Sequence, residues 1–283
     1  VVWSSDYVRA MSTAKYFAHR NNLKVNISDK LGERKHGISS WDELPVNFET
    51  YQFEDENYKI GNGESQNEVR ERVYNKLIDI IENNKGKRII LWYWNPAHLT
   101  ISPYDVPSEI EKWSYSKTDC EKYGMIYNTQ FCFDIYPKEK VTEDIDVLFV
   151  GRDKGRAESI LKIEELLQEK GLKTDFRIIK SKKDFMSYKD ILDLVNRSKC
   201  ILDFCINETA GMSLRSLEAL FMDKKVITNN MMYLQEKFYN EKNVFVFGNR
   251  DINSIESFLC DGIDEIEEGI KQEYLFENWI SRF

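Results

Sequence analysis

Val147-Leu148-Phe149-Val150-Gly151-Arg152-Asp153-Lys154-Gly155-Arg156 is the stretch that decides how this chain folds. Four apolar residues run into a basic loop with two glycines, and residues 157–170 then keep a helical spacing up to Gly171. A short apolar run that stops on glycine and opens a helix is the beginning of a βα unit. The alternation continues outward. The pattern predicts strands at 176–179, 199–204, 225–228 and 244–247, with helices at 188–197 and 212–221. Residues 254–283 read as acidic and mainly helical. Strands that alternate with helices imply a parallel sheet with right-handed crossovers. The expected fold class is therefore α/β, with a Rossmann-like parallel sheet and flanking helices in the C-terminal half.

Upstream the texture differs. Residues 1–4 read as the end of a strand and residues 7–21 as a helix striped with Ala10, Ala14, Phe17 and Ala18. Residues 31–53 are turn-rich and aromatic. Residues 66–83 form an amphipathic helix through Val69, Val73, Leu77, Ile80 and Ile81, stopped by Asn83-Asn84-Lys85-Gly86. An apolar strand follows at 88–94; residues 95–137 are aromatic and broken by proline, with short elements at best, and 138–144 reads as a charged linker. Three segments result: 1–89, 90–143 and 144–283.

Composition bounds the function. The chain has 283 residues, 42% of them hydrophobic, and a formal charge of -8. That balance argues against general nucleic-acid binding, which needs a net basic face, yet leaves room for a local cationic cluster that binds phosphate. Five cysteines without a CxxC pair point to reduced thiols and a cytoplasmic protein. No apolar run reaches the ~20 residues of a membrane span, which leaves only peripheral membrane contact open.

Ser4-Ser5-Asp6-Tyr7-Val8-Arg9-Ala10-Met11-Ser12-Thr13-Ala14, Leu31-Gly32-Glu33-Arg34-Lys35-His36-Gly37 and Gly63-Glu64-Ser65 occur in an order and spacing that resembles the histidine phosphatase (phosphoglycerate mutase-like) superfamily. The resemblance covers about 80 residues and implies that Arg9 holds phosphoryl oxygens while Glu33 donates a proton to the leaving group. It also calls for a nucleophilic histidine in an Arg-His-Gly motif, expected before Val1, and a second histidine after the strand near Arg88. At the second position the chain reads Trp92-Tyr93-Trp94-Asn95-Pro96. His19, His36 and His98 are poor replacements, so the segment reads as an incomplete α/β phosphatase-like remnant without phosphatase or mutase activity. Lacking a central strand, it is expected to dock weakly or order poorly.

The second resemblance rests on 90–94 with Asn95-Pro96, Trp113-Ser114-Tyr115, Asp119-Cys120-Glu121-Lys122-Tyr123-Gly124, Asn128-Thr129-Gln130-Phe131, the decapeptide above and Asn207-Glu208-Thr209-Ala210-Gly211-Met212-Ser213-Leu214-Arg215-Ser216-Leu217-Glu218. These are similar to bacterial GT-B-type glycosyltransferase-like proteins of capsule and lipopolysaccharide biosynthesis. The resemblance implies a nucleotide-sugar donor whose diphosphate meets Gly151, Arg152 and Lys154, with Arg156 adding charge. Gly211, Met212 and Ser213 would present loop amides, Arg215 would reach phosphate and Glu218 would hold the ribose. Glu208 lies ten residues before Glu218 where the family has eight, so it need not fill the first glutamate's role. Asn229 and Asn230 end a strand, where open α/β sheets bind ligands.

Residues 90–143 are short for a whole N-terminal domain, so the acceptor side, a glycan or lipid-linked acceptor, is incomplete. His98, Asp105 and Asp119 are candidate bases without a clear leader. Trp92, Trp94, Trp113 and Tyr115 favour core packing over sugar stacking. No cofactor and no metal are expected. The alternatives are a histidine phosphatase relative and a nucleotide-sugar-binding remnant without turnover.

Overall fold

The computed structural model describes residues 1–40, 43–137, 139, 141–180, 182–205 and 211–283; the side chains of Arg9, Arg20, Glu49, Phe53, Leu99 and Lys182 are outside the description. The chain divides into two compact units. One comprises Val1–Leu91 with Ala97–Glu111, the other Trp92–Pro96 with Lys112–Phe283.

The first unit contains β1 (Val2–Ser4), α1 (Val8–Arg20), β2 (Val25–Ile27), α2 (Phe48–Glu54) and α3 (Gln66–Asn83). β1 and β2 pair in parallel, Val2 opposite Val25. α3 begins where its sequence says it should: Ser65 and Glu68 exchange side-chain and backbone bonds in a capping box. Its buried face carries Leu77 and Ile80. Gly37 has φ +72°, and a Cβ there would stand 2.4 Å from the backbone nitrogen of Gly63. The two segments singled out in the sequence, 31–37 and 63–65, are thus in backbone contact. No other residue type fits that approach.

The strands β3 (Ile89–Tyr93) and β4 (Ile110–Ser114) run across the division. The second unit continues with α4 (Lys117–Tyr123) and β5 (Ile126–Tyr127), where Trp113 and Ser114 pair with Ile126 and Tyr127. Then come β6 (Ile145–Arg152), α5 (Ala157–Glu169), β7 (Thr174–Ile179), α6 (Tyr188–Arg197), β8 (Ser198–Asp203), α7 (Leu214–Phe221), β9 (Lys225–Thr228) and β10 (Val244–Val246). Three short helices close the chain, α8 (Ile255–Cys260), α9 (Glu268–Gln272) and α10 (Phe276–Ile280).

The sheet order is β10-β9-β8-β6-β7, and every pair within it is parallel. This is a doubly wound, Rossmann-like α/β sheet. Alternation along β6 builds both faces, as the period-2 geometry of a strand requires. Val147 and Phe149 pack with Ile160 and Leu167 of α5 and Phe258 of α8. Leu148 and Val150 pack with Val195 of α6 and Leu217 and Leu220 of α7.

Residues 90–143, read in the sequence as one segment, are divided between the two units. Residues 97–111 go with the first unit, where Arg70 meets Asp105 at 3.5 Å and Arg88 meets Glu111 at 2.7 Å. Residues 112–137 go with the second because the C-terminal segment binds them. Cys132 and Tyr274 form a backbone bond of 2.9 Å, and the Trp279 indole donates to the Thr129 carbonyl at 2.7 Å. Trp92, Trp113 and Phe131 join this aromatic cluster, with Trp92–Trp279 ring centroids 5.0 Å apart and Trp113–Phe283 4.8 Å. Core packing is therefore what these aromatics do.

Candidate functional site

The order of the sheet places a switch point between β6 and β8, because the connection from β6 leads to β7 on one side and that from α6 returns to β8 on the other. In open α/β sheets the crevice at the carboxyl ends of such strands is the ligand site. The loops that flank it here are the ones after β6 and β8, and they precede α5 and α7.

Gly151 sits at the end of β6, and its glycine identity has a direct cause. A Cβ there would lie 2.8 Å from a guanidinium nitrogen of Arg215 and 3.2 Å from one of Arg156. Glycine lets two guanidiniums close on the strand end. Arg215 donates from Nε to the Val150 carbonyl at 2.7 Å and through a second nitrogen to the same oxygen. Arg156 donates to the Phe204 carbonyl beyond β8 and, from Nε, to the Arg152 carbonyl at 3.3 Å. Both guanidiniums lie over the Phe149 ring, 5.7 and 5.5 Å from its centroid. Arg152 is exposed, with its guanidinium over Phe185 at 5.3 Å.

Lys154 sits at the tip of the β6 loop with φ +49°. Desolvation and then the charges of Arg156, Arg152 and Arg215 lower its pKa. Desolvation and Arg215 lower that of Arg156, against a smaller opposite pull from Asp203. Like charges that depress each other store repulsion that an anion would relieve. Among the described residues, no carboxylate lies within ion-pair distance of any of these four cations. The N-termini of α5 and α7 end at the same crevice and add their positive dipole ends.

Other expected site residues are occupied in different ways. Ser213 caps α7, accepting from the Arg215 backbone at 3.2 Å. Asn229 clamps the end of β8 to that of β9: its side chain accepts from the Cys205 N–H and donates to the Cys205 carbonyl, both at 2.8 Å. Met212 is buried in the core. Gly211 is glycine because a Cβ would meet the Tyr115 ring at 2.5 Å. Glu208 falls outside the described residues.

Glu218 is 5% exposed. It faces a cavity of about 180 Å³ together with Arg215 and six aliphatic side chains from β6, β8, α6 and α7. Burial pushes its pKa up to about 7, while Arg215 and the Tyr188 hydroxyl act in the opposite direction. Beside it lies a group the sequence reading missed. Asp203, 2% exposed at the end of β8, accepts from Tyr233 at 2.7 Å and from Ser216 at 3.2 Å. An aspartate inside the apolar run 200–205 was the signal for it.

In the first unit Arg9 lies on α1, with its side chain outside the description, and Glu33 is exposed just after the turn 29–31. Arg34, next to Glu33, is consumed by structure: it donates to the Glu64 carbonyl at 2.6 Å, to Gln52 at 2.8 Å and to the Tyr58 carbonyl at 2.9 Å. His98 is exposed and Asp105 is paired with Arg70, both in this unit, whereas Asp119 is 8% exposed on α4 in the other.

The family model of the histidine phosphatase superfamily (branch 1) matches residues 1–93, the part that carries Arg9, Glu33 and the Gly63-Glu64-Ser65 turn. Among solved structures the chain is similar to AviGT4, described as a glycosyltransferase involved in avilamycin A biosynthesis. The TM-score is 0.48 and the identity 12%, over 75% of this chain and 76% of that one. No curated protein matches the chain. Among the described residues no helix is long and apolar enough to cross a membrane.

Proposed function

We propose that the second unit binds the nucleoside diphosphate of a sugar donor, as part of a glycosyltransferase-like protein of surface polysaccharide biosynthesis. The observation that carries the reading is the group of four cations, Arg152, Lys154, Arg156 and Arg215, at the β6/β8 switch point with no carboxylate partner among the described residues. A diphosphate supplies the missing negative charge, and guanidiniums suit its paired oxygens. Glu218 then receives the nucleoside end, since its cavity shares Arg215 and Val150 with the cation group. The acceptor in this reading is a glycan or a lipid-linked saccharide.

Calorimetry of the full chain with UDP, GDP, CDP and their sugars tests the reading. Lys154→Ala with Arg156→Ala should weaken nucleoside diphosphate binding by about a hundredfold or more, at about 1.5–3 kcal/mol per charge-assisted bond. Equal binding by the variant and the parent would overturn it. Transfer of the sugar to an acceptor then separates an enzyme from a binding module.

For residues 1–93 we propose no phosphatase turnover by this chain. The strand end after Arg88 offers Trp92-Tyr93-Trp94-Asn95-Pro96 where a histidine is needed. Hydrolysis of p-nitrophenyl phosphate that disappears in Arg9→Ala would contradict this.

A further inference from the structure

The cavity against Glu218 is unlike the crevice above it. Leu148, Val150, Ile191, Val195, Ile201 and Leu214 make its wall aliphatic, and Glu218 and Arg215 are its polar groups. A dry aliphatic cavity of about 150 Å³ admits one benzene-sized ring. At about 180 Å³ this one suits a flat heterocycle, not a heterocycle with its sugar. A ribose, polar on every side, would leave hydroxyls unpaired against six hydrocarbon side chains, at a cost of roughly 1–3 kcal/mol each. A base has two apolar faces for such walls and confines its polar atoms to its edge.

Resting on the proposed diphosphate site, we infer that this cavity is the base pocket, that Glu218 reads the edge of the base, and that the base is guanine. An ionised carboxylate only accepts hydrogen bonds. Guanine presents two adjacent donors, N1–H and the N2 amino group, which two carboxylate oxygens accept side by side. Uracil flanks its single N3–H with two carbonyls, which oppose those oxygens. Adenine and cytosine set an acceptor next to their amino donor and meet one oxygen lone pair against lone pair. Arg215 binds the Val150 carbonyl at the cavity wall and belongs to the cation group, so base and phosphates have a common residue between them.

The groups that face Glu218 are Arg215 on its own helix, Tyr188 on α6, Asp203 on β8 and, from the segment before β6, Tyr136 and Cys132. Guanine donates to the ionised carboxylate, so binding favours that form. The preference for GDP over UDP therefore grows as pH rises from 6 to 8, and because it is a ratio, the ionisation of the phosphates cancels.

The test is calorimetry on the full chain with GDP, UDP, ADP, CDP, 2′-deoxy-GDP and inorganic pyrophosphate. GDP should bind at least tenfold more tightly than the other three ribonucleotides. 2′-Deoxy-GDP should match GDP, and Ile191→Phe, which fills the cavity, should reduce GDP to the level of UDP. Glu218→Gln should abolish the pH dependence of the ratio. Equal binding of the four nucleotides alongside pyrophosphate binding would overturn the base pocket and leave the diphosphate site standing. A large loss for 2′-deoxy-GDP, with Glu218→Gln weakening every ribonucleotide alike, would assign Glu218 to ribose instead. No binding of any of these, pyrophosphate included, would remove the diphosphate site and the base pocket together.

Discussion

Arg34 in the first unit and the Arg152, Lys154, Arg156 and Arg215 group in the second show two opposite uses of positive charge. Arg34 is surrounded by acceptors from three separate segments, so its guanidinium ties a loop together. Burial lowers its pKa, and Glu64 and Glu68 pull the other way by favouring the charged form. The four cations of the second unit have carbonyl acceptors for two of their members but no carboxylate partner among the described residues, and burial and then the neighbouring cations lower the pKa values of Lys154 and Arg156. A cation surrounded by local acceptors is part of the architecture, whereas the group without a carboxylate partner suits the diphosphate site proposed above.

Opposite outcomes on substitution would sharpen that contrast. Arg34→Ala should remove three hydrogen bonds and cost about 3 kcal/mol or more, since bonds made by charged groups contribute roughly 1.5–3 kcal/mol each and do not add fully. Denaturant unfolding of the parent and the variant reads this loss, and nucleoside diphosphate affinity should stay as it was. Stability insensitive to Arg34→Ala would break the comparison at its partnered end.

Glu218 comes next in size. Its carboxyl is raised from 4.5 to about 7 by burial. Between those values the folded protein holds a proton that the unfolded chain has released. Stability therefore falls as pH rises from about 4.5 to about 7 and is level above, a total on the order of 3 kcal/mol. Glu218→Gln removes the fall, so its melting temperature should exceed that of the parent more at pH 8 than at pH 5. A gap independent of pH would contradict this. The smallest effect belongs to Lys154→Ala, which relieves repulsion at an exposed loop tip. Its melting temperature without ligand should be unchanged or slightly higher, within about 0.5 kcal/mol, while diphosphate affinity drops. A clear loss of stability would mean that this lysine supports the fold.

Much of the second unit was readable from the chain alone. Val147-Leu148-Phe149-Val150 alternates between two buried faces, and Gly151 ends it, so β6, α5 and the sheet's parallel character follow from pattern. α6 runs over the expected residues 188–197 because Ser187 caps it and Ile191, Leu192 and Val195 share one face. The small elements β4, α4 and β5 were hidden by proline and aromatic residues, whose burial depends on Trp279 and Phe283, far away in sequence. At the site, the charges of Arg152, Lys154, Arg156 and Arg215 were visible, but the meeting of Arg156 and Arg215 at Gly151 was not, because it needs β6 and α7 side by side. Asn229 shows the reverse. Its place at a strand end suggested a ligand, and its amide turned out to hold the backbone of Cys205. Periodicity reports which face a residue occupies, and only the tertiary fold reports which polar group it meets there.

The joining of Cys132 to Tyr274 has a consequence for how the chain is made. The two partners are 142 residues apart, and synthesis proceeds at about 5–20 residues per second. A nascent chain thus carries Phe131 and the Cys132 thiol uncovered for roughly seven to thirty seconds until Tyr274 emerges. The length of that interval does not depend on the speed of the codons before Cys132, because the delay lies entirely downstream of it.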